Sequence, residues 1–158
     1  MSRPPRIPGF SYKGCYRYFL TFCTFRRHHF FIDATTVSNT LTQFRQTSQR
    51  EGFEILAYCF MPDHTHELVE GLHESADLRR FCKLAKQRSG GVHARSGRGP
   101  LWQEGYYDRV LRDGEDIRQV ARYILNNPIR AGLVNTPADY PYLGSDRWTV
   151  AELVESQQ

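Results

Sequence analysis

The sequence predicts an α+β domain of ferredoxin-like architecture, an antiparallel sheet with helices packed on one face. Three observations point there. The chain has 158 residues, about one domain's worth, and enough to bury a core without disulfide or metal staples. Strand-type and helix-type segments alternate in the order β-α-β-β-α-β-α. Two of the strand segments are separated only by Pro62-Asp63, a turn that makes them an antiparallel hairpin. Residues 1–15, rich in Pro and Gly, read as a flexible basic arm. Residues 16–24, YRYFLTFCT, are aromatic and β-branched and form the first strand. Asp33, Thr35 or Thr36 can cap a helix running to about residue 51, with Val37, Leu41, Phe44 and Thr47/Ser48 at helical spacing; Gly52 stops it. Residues 53–61 and 64–70 are the hairpin strands. Residues 76–88 form a basic helix whose buried stripe is Leu78, Phe81, Cys82 and Ala85. The Gly/Ser/Arg-rich stretch 89–100 reads as a mobile loop, 106–111 as a short fourth strand, and 117–126 as a helix that Pro128 ends. Residues 135–158 read as an irregular tail anchored by Tyr140, Tyr142 and Trp148. The domain proper is therefore expected over 16–142, with a C-terminal tail at 143–158.

Composition narrows the class of function. The hydrophobic fraction is 40%, the charged fraction 24% and the mean hydropathy -0.57, which fits a globular chain and excludes a helical membrane span. The first residues have no apolar segment of the signal-peptide kind. Four scattered cysteines with no C-x-x-C give neither zinc-finger spacing nor a disulfide framework, so a reducing cytoplasm is expected. The net charge is only +4, but it is segregated. Residues 1–27 carry six basic side chains and no acid, and residues 79–98 carry seven and no acid; the remainder holds eight bases against all 17 acids. Two such blocks, with 13% aromatic residues able to stack on bases, point to a nucleic acid partner. A solvated helix face and a loose tail would read the same way.

Two short patterns carry candidate chemistry. In PDHTH, residues 62–66, His64 and His66 stand at i, i+2 on a strand and so share a face. Two neutral imidazoles side by side can grip a divalent metal, although a bare H-x-H is more often a pair of surface histidines. His66-Glu67-Leu68-Val69-Glu70 lacks the last histidine of a zincin site. A two-histidine phosphoesterase would need a second H-x-T. A third ligand must come from elsewhere. In the helix from 117, Ile117, Val120, Ala121, Ile124 and Leu125 form the apolar face, which leaves Tyr123 and Asn127 as i, i+4 neighbours on a polar flank. A phenol there can attack phosphorus if a metal polarises the phosphate, and the Asn127 amide could be a metal ligand. An edge-packed Tyr and a helix-end Asn are the plainer readings.

Three strings stand in a telling order: MPDHTHELV at 61–69, LWQEGYYDRVLR at 101–112 and RYILNNPIRAGLV at 122–134. With them the chain resembles the single-tyrosine HUH transposases, the IS200-like group, and most of all their REP-associated tyrosine transposase branch. The resemblance runs from about residue 16 to about 142. It implies the HUH endonuclease fold and a DNA-nicking and strand-joining transposase that works through a 5′-phosphotyrosine intermediate. It also implies His64 and His66 as metal ligands, Tyr123 as the catalytic tyrosine of Y-x-x-x-N-P-x-[RK], and Asn127 as the third ligand, with Gln119 as a substitute amide. Mixed N/O ligation suits Mg²⁺ or Mn²⁺, although imidazole would also accept Zn²⁺. Thr65 stands where the family usually has a bulky hydrophobic residue; facing away from the metal, it should affect packing only. The implied partner is single-stranded DNA with hairpins formed by palindromic repeats. Arg79, Arg80, Lys83 and Lys86 are expected on its phosphates, together with Arg26 and Arg27. Trp102, Tyr106 or Tyr107 could stack on a base, with core packing an equal reading for at least two of them. Arg130 would steady the phosphate or bond helix-end carbonyls. A monomer is favoured over a homodimer, and no membrane contact is expected. Two rival readings are a non-catalytic binder of structured DNA or RNA derived from a transposase, and a metal-dependent phosphodiesterase that activates water and does not need Tyr123.

Overall fold

A computed structural model of the chain describes residues 7–155. Five strands, β1 Arg17–Cys23, β2 Phe53–Met61, β3 His64–Gly71, β4 Tyr107–Val110 and β5 Leu143–Gly144, form one sheet in the order β4-β1-β3-β2-β5. Every pairing is antiparallel. The two long helices, α1 Ala34–Glu51 and α2 Leu78–Arg95, pack together on one face. The shorter helices α3 Ile117–Leu125 and α5 Val150–Glu155 cover the other, and α4 Asn127–Arg130 follows α3 directly. The chain is thus the expected α+β antiparallel sheet, with the long helices sharing one face as expected and α3 and α5, against expectation, on the other.

Sequence periodicity sets this sidedness. Asp33 caps α1, its side chain accepting from Thr36 N, and Gly52 ends the helix at φ 75°. The stripe Val37, Leu41 and Phe44 meets Tyr18, Leu20 and Phe22 of β1 and Phe81 of α2 in an aromatic-rich core. The opposite face is filled by Leu56, Ala57, Cys59, Met61 and Leu68 against Val120, Ala121, Ile124 and Leu125 of α3. A β-bulge between Ile55 and Ala57 shifts the register, which lets the successive residues Leu56 and Ala57 both serve this second face. Among the described residues no helix is long and apolar enough to cross a membrane.

Three further expectations need correction. Residues 1–6 of the proposed flexible arm lie outside the described residues, but the rest of the arm is docked. Tyr12 is 2% exposed within the α1/α2 core, Leu78 N donates to its carbonyl at 3.0 Å, and Gly14 N donates to Ala76 O at 2.9 Å. Aromatic burial outweighs the Pro/Gly composition. The segment 89–100 is not a loop throughout, because α2 continues to Arg95. Ser89 and His93 prolong the buried stripe; Ser89 Oγ accepts from Trp102 Nε1 at 2.9 Å, and the His93 ring lies 4.6 Å from that of Phe30. The tail from 143 is structured as well. β5 extends the sheet beside β2, where a Cβ on Gly144 would come within 2.7 Å of the Tyr58 hydroxyl, and Leu153 of α5 is fully buried.

Candidate active site

β3 alternates across the sheet. Thr65, Glu67 and Val69 face the long helices, while His64, His66 and Leu68 face the α3 side. Thr65 is fully buried and donates to the Cys59 carbonyl. The two histidine rings stand 4.8 Å apart. His64 Nδ1 lies 2.7 Å from Asp63 Oδ1, and His66 Nδ1 lies 2.9 Å from the hydroxyl of Thr21, its cross-strand partner on β1. A carboxylate can only accept, so His64 Nδ1 carries the proton and donates, leaving Nε2 with its lone pair. The Thr21 hydroxyl can fix His66 in the same way. Burial, then the charges of His64, Arg130 and Arg27, push the His66 pKa down to about 3. That ring is therefore neutral at ordinary pH, the state a metal ligand needs.

Asp63 is itself held. Arg27 Nε donates to its Oδ2 at 2.9 Å, and Arg27 Nη1 reaches Cys23 Sγ at 2.9 Å. Burial raises the Asp63 pKa, but the hydrogen bonds from His64 and Arg27 outweigh it and keep the carboxyl below its ordinary value. Arg27 and Arg26 both sit in the left-handed region, at φ 56° and 52°. Each such residue costs about 1–2 kcal/mol. A surface ion pair such as Arg27–Asp63, with side chains 46% and 23% exposed, returns about 0–1 kcal/mol.

The apolar stripe of α3 turns Tyr123 outward, where it is 55% exposed. Phe19 of β1 joins it to the histidines, its ring 5.3 Å from His66 and 6.2 Å from Tyr123. The Arg130 guanidinium lies 3.9 Å from the Tyr123 ring centroid. Pro128 does not simply stop this helix. α3 ends at Leu125, Asn126 caps it, and Pro128 sits in the first turn of α4, where a missing N–H leaves no bond unmade. Tyr123 and Asn127 thus belong to different helices, and Arg130 touches both, its Nη2 lying 3.5 Å from Asn127 Oδ1. Gln119 lines an open cleft of about 520 Å³ with Phe19, Arg109, Asp116, Val120 and Tyr123.

The histidine pair offers two nitrogen donors on one face. Among the described residues no three His, Cys, Asp or Glu side chains gather into a metal-binding group, so the histidine pair needs an amide or water to complete a shell. The Asn127 side chain offers an amide oxygen, Oδ1, which lies 3.5 Å from Arg130 Nη2, while its Nδ2 is buried without a hydrogen-bond partner among the described residues. Two imidazole nitrogens with amide and water oxygens would accept Mg²⁺, Mn²⁺ or Zn²⁺.

The basic residues divide differently from the expectation. Arg79, Arg80, Lys83 and Lys86 all lie on α2, across the sheet from the histidines. Arg80 is paired with Glu51 at 2.9 Å, and the Arg79 guanidinium lies 5.1 Å from the Tyr12 ring. Lys86 Nζ donates to the carbonyls of Gln103 and Gly105 at 2.8 and 2.6 Å, so it pins a loop rather than waiting for a phosphate. Lys83 is exposed. Trp102 is not a free stacking platform; its ring packs 5.5 Å from Phe31 and 5.9 Å from both Phe22 and Phe44. Arg26 is exposed beside the Phe25 ring at 5.0 Å. Three residues of the site escaped the sequence reading: Asp63, Thr21 and Phe19. Only Asp63 left a signal, its place beside His64.

Residues 12–127 match the family model described as transposase IS200 like. A Haemophilus influenzae protein named as a REP-associated tyrosine transposase is 29% identical over 125 residues, 70% of this chain and 69% of that one. The Escherichia coli REP-associated tyrosine transposase is 31% identical over 93 residues, 57% of this chain and 53% of its own. A solved REP-associated tyrosine transposase bound to a REP hairpin superimposes with a TM-score of 0.72 at 24% identity, over 90% of this chain and 82% of that one. A Deinococcus radiodurans protein described as a transposase gives 0.53 at 26% identity, over 78% and 97%.

Proposed function

From the premise that the chain belongs to the IS200-like transposase family, we propose that it nicks and rejoins single-stranded DNA carrying hairpins, with Tyr123 as the nucleophile. The observation that carries this reading is the exposed Tyr123 ring on the same face of the sheet as the His64–His66 pair, joined to it through Phe19. The fold likeness to a transposase bound to a REP hairpin supports a hairpin substrate.

The Tyr123 oxygen attacks the scissile phosphorus in line and the phosphorus–O3′ bond breaks. The phenolic proton is lost to solvent, the departing oxygen takes one up as a 3′-OH, and the downstream strand stays on Tyr123 as a 5′-phosphotyrosine. An incoming 3′-OH reverses the step on another strand. One phosphodiester replaces another, so no nucleotide triphosphate is consumed. His64, His66 and Asn127 would hold Mg²⁺ or Mn²⁺, and the ion would supply Lewis-acid polarisation of the phosphate. Arg130, against the Tyr123 ring, is placed to steady the phosphate beside the nucleophile. Lys83 and Arg26 are exposed cations available to the DNA backbone.

The test is a hairpin-bearing single-stranded oligonucleotide from repeats flanking the gene, labelled at its 3′ end, mixed with protein and Mn²⁺ and denatured in SDS. Labelled protein is expected, and Tyr123→Phe should lose it. Tight binding without labelled protein would favour a non-catalytic binder. Cleavage without labelled protein would favour hydrolysis by water.

A further inference from the structure

The bend after β1 is strained by more than the Arg27–Asp63 ion pair alone offsets. It holds two successive non-glycine residues in the left-handed region, Arg26 and Arg27. Such conformations persist where the surroundings over-determine them, and they cluster at functional sites. Here the surroundings are the β2–β3 turn. Thr24 N donates to the Asp63 carbonyl at 3.0 Å and Phe31 N donates to Pro62 O at 3.1 Å, while the Thr24 hydroxyl stands between the carbonyls of His28 at 2.7 Å and Asp63 at 3.1 Å. The two turns are thereby stitched backbone to backbone. From that fixed backbone Arg27 meets Asp63 Oδ2 at 2.9 Å, while Asp63 Oδ1 takes His64 Nδ1 at 2.7 Å. One carboxylate thus bridges a strained arginine and an imidazole.

The two histidines differ in what they require. His66 stands inside β3 and leans on Thr21, a hydroxyl on the neighbouring strand. His64 is the first residue of β3, next to the turn, where the ladder supports it least. A lone Asp63 could rotate either oxygen, or neither, towards it. With Oδ2 bound by Arg27, Oδ1 is left directed at His64.

We infer that Arg27 and Asp63 are positioning residues: together they lock His64 in its Nδ1–H tautomer and aim its Nε2 at the ligand, and the strained bend exists to hold Arg27 in place. The inference rests on the metal role given to His64 above. Groups that orient a ligating histidine typically change metal affinity by about 10–100-fold when removed.

Two measurements on the full chain test it. Long-range ¹H–¹⁵N spectra of the metal-free protein report the tautomer of His64. Titration calorimetry reports Mn²⁺ affinity. Wild type is expected to hold His64 as Nδ1–H. Asp63→Ala should give a tautomer mixture and bind Mn²⁺ about 10–100-fold more weakly. Arg27→Ala should move both readouts the same way but less, and Arg27→Lys should restore part of the loss. Arg80→Ala, which removes a comparable ion pair on the far side of the sheet, should change neither. An Asp63→Ala protein with wild-type tautomer and wild-type Mn²⁺ affinity overturns the inference. Loss in Asp63→Ala with Arg27→Ala unchanged overturns the part assigned to Arg27 and the bend. If wild type binds no Mn²⁺, the metal reading fails, and the tautomer populations still decide the relay. If Asp63→Ala does not fold, Arg27→Ala, altered at an exposed side chain, carries the test by itself.

Discussion

The two faces of this sheet are built from the same strands and have opposite characters. Towards α1 and α2 the strands send Tyr18, Leu20, Phe22, Ile55, Phe60 and Val69 into a core in which Phe44 and Phe81 are wholly buried. Towards α3 the same β1 and β3 send Phe19, Thr21, His64 and His66, half-buried or bonded to one another, with Tyr123 open to solvent beyond them. Period-two alternation lets a single strand do both. The rigid face supports the backbone from which the reactive face projects its side chains, so precision at the site comes from packing it does not share. Substitutions should therefore divide by place: those at Thr21, His64, His66 and Tyr123 should change chemistry and leave the fold, and those in the core under the long helices should do the reverse.

The sharpest test crosses the two. Tyr123→Phe removes one hydroxyl from an exposed ring, and it should cut adduct formation by about 10³-fold or more while leaving the urea midpoint in place. Phe81→Ala empties a fully buried site between Phe44 and Phe53, and it should cost about 3–5 kcal/mol in urea unfolding. Adduct formation per folded molecule should stay close to wild type. If Phe81→Ala lowered activity per folded molecule as far as it lowered stability, the division between faces would be lost.

A second test asks whether the sealed face rejects charge. Glu67 is the residue of β3 between His66 and Leu68, but it points the other way; it is wholly buried, and neither carboxyl oxygen has a hydrogen-bond partner among the described residues. Burial, helped by Asp146, pushes its pKa from 4.5 up to about 8. The folded state therefore keeps a proton that the unfolded chain releases. Stability is fully present below about pH 4.5 and is lost as pH rises through about 8, at no more than about 1.4 kcal/mol per pH unit. Glu67→Gln keeps the shape and removes the titration. Urea unfolding across that window should show the slope in wild type and its absence in the variant; equal slopes would mean that the face admits water.

How much of this could be read in the sequence follows from the range of the interactions concerned. The hairpin, the capped α1, the sidedness of His64 and His66, and the outward Tyr123 all rest on spacing within one segment, and these were legible. The docking of Tyr12, the extension of α2 through Gly90-Gly91 and the ordering of the tail depend on partners far along the chain. The bond from Trp102 to Ser89 and the pairing of β5 with β2 are such cases. Thr21 is recognised only once the β1–β3 register sets it opposite His66. Asp63 is adjacent to His64, but Arg27, which holds it, is 36 residues earlier. Clustered charge and the family resemblance point Trp102 and Lys86 towards DNA, and neither signal carries their tertiary partners. Their actual partners, an aromatic core and two loop carbonyls, are tertiary.

The smallest effect sharpens the comparison further, because it places the same local device on each face. Asp33 caps α1 by accepting from Thr36 N at 2.9 Å, and Asp116 caps α3 by accepting from Arg118 N at 2.9 Å. Replacing either with Ala should cost about 1 kcal/mol in urea unfolding. The hydrogen bonds from Thr36 hold the Asp33 pKa down at about 2 against its ordinary 3.8. That cap is thus present above about pH 4 and lost as pH falls through about 2. The consequences for chemistry should differ. α1 is an 18-residue helix packed along its length on α2 and the sheet, so a weakened first turn stays a local matter. α3 has nine residues, and its capped end opens onto the cleft that Tyr123 lines. Fraying there displaces the turn directly before the nucleophile. Asp116→Ala should therefore slow adduct formation severalfold in the 3′-label assay, whereas Asp33→Ala, equally destabilised, should not. Equal slowing would mean that Tyr123 is positioned by the stability of the whole domain and not by its own helix.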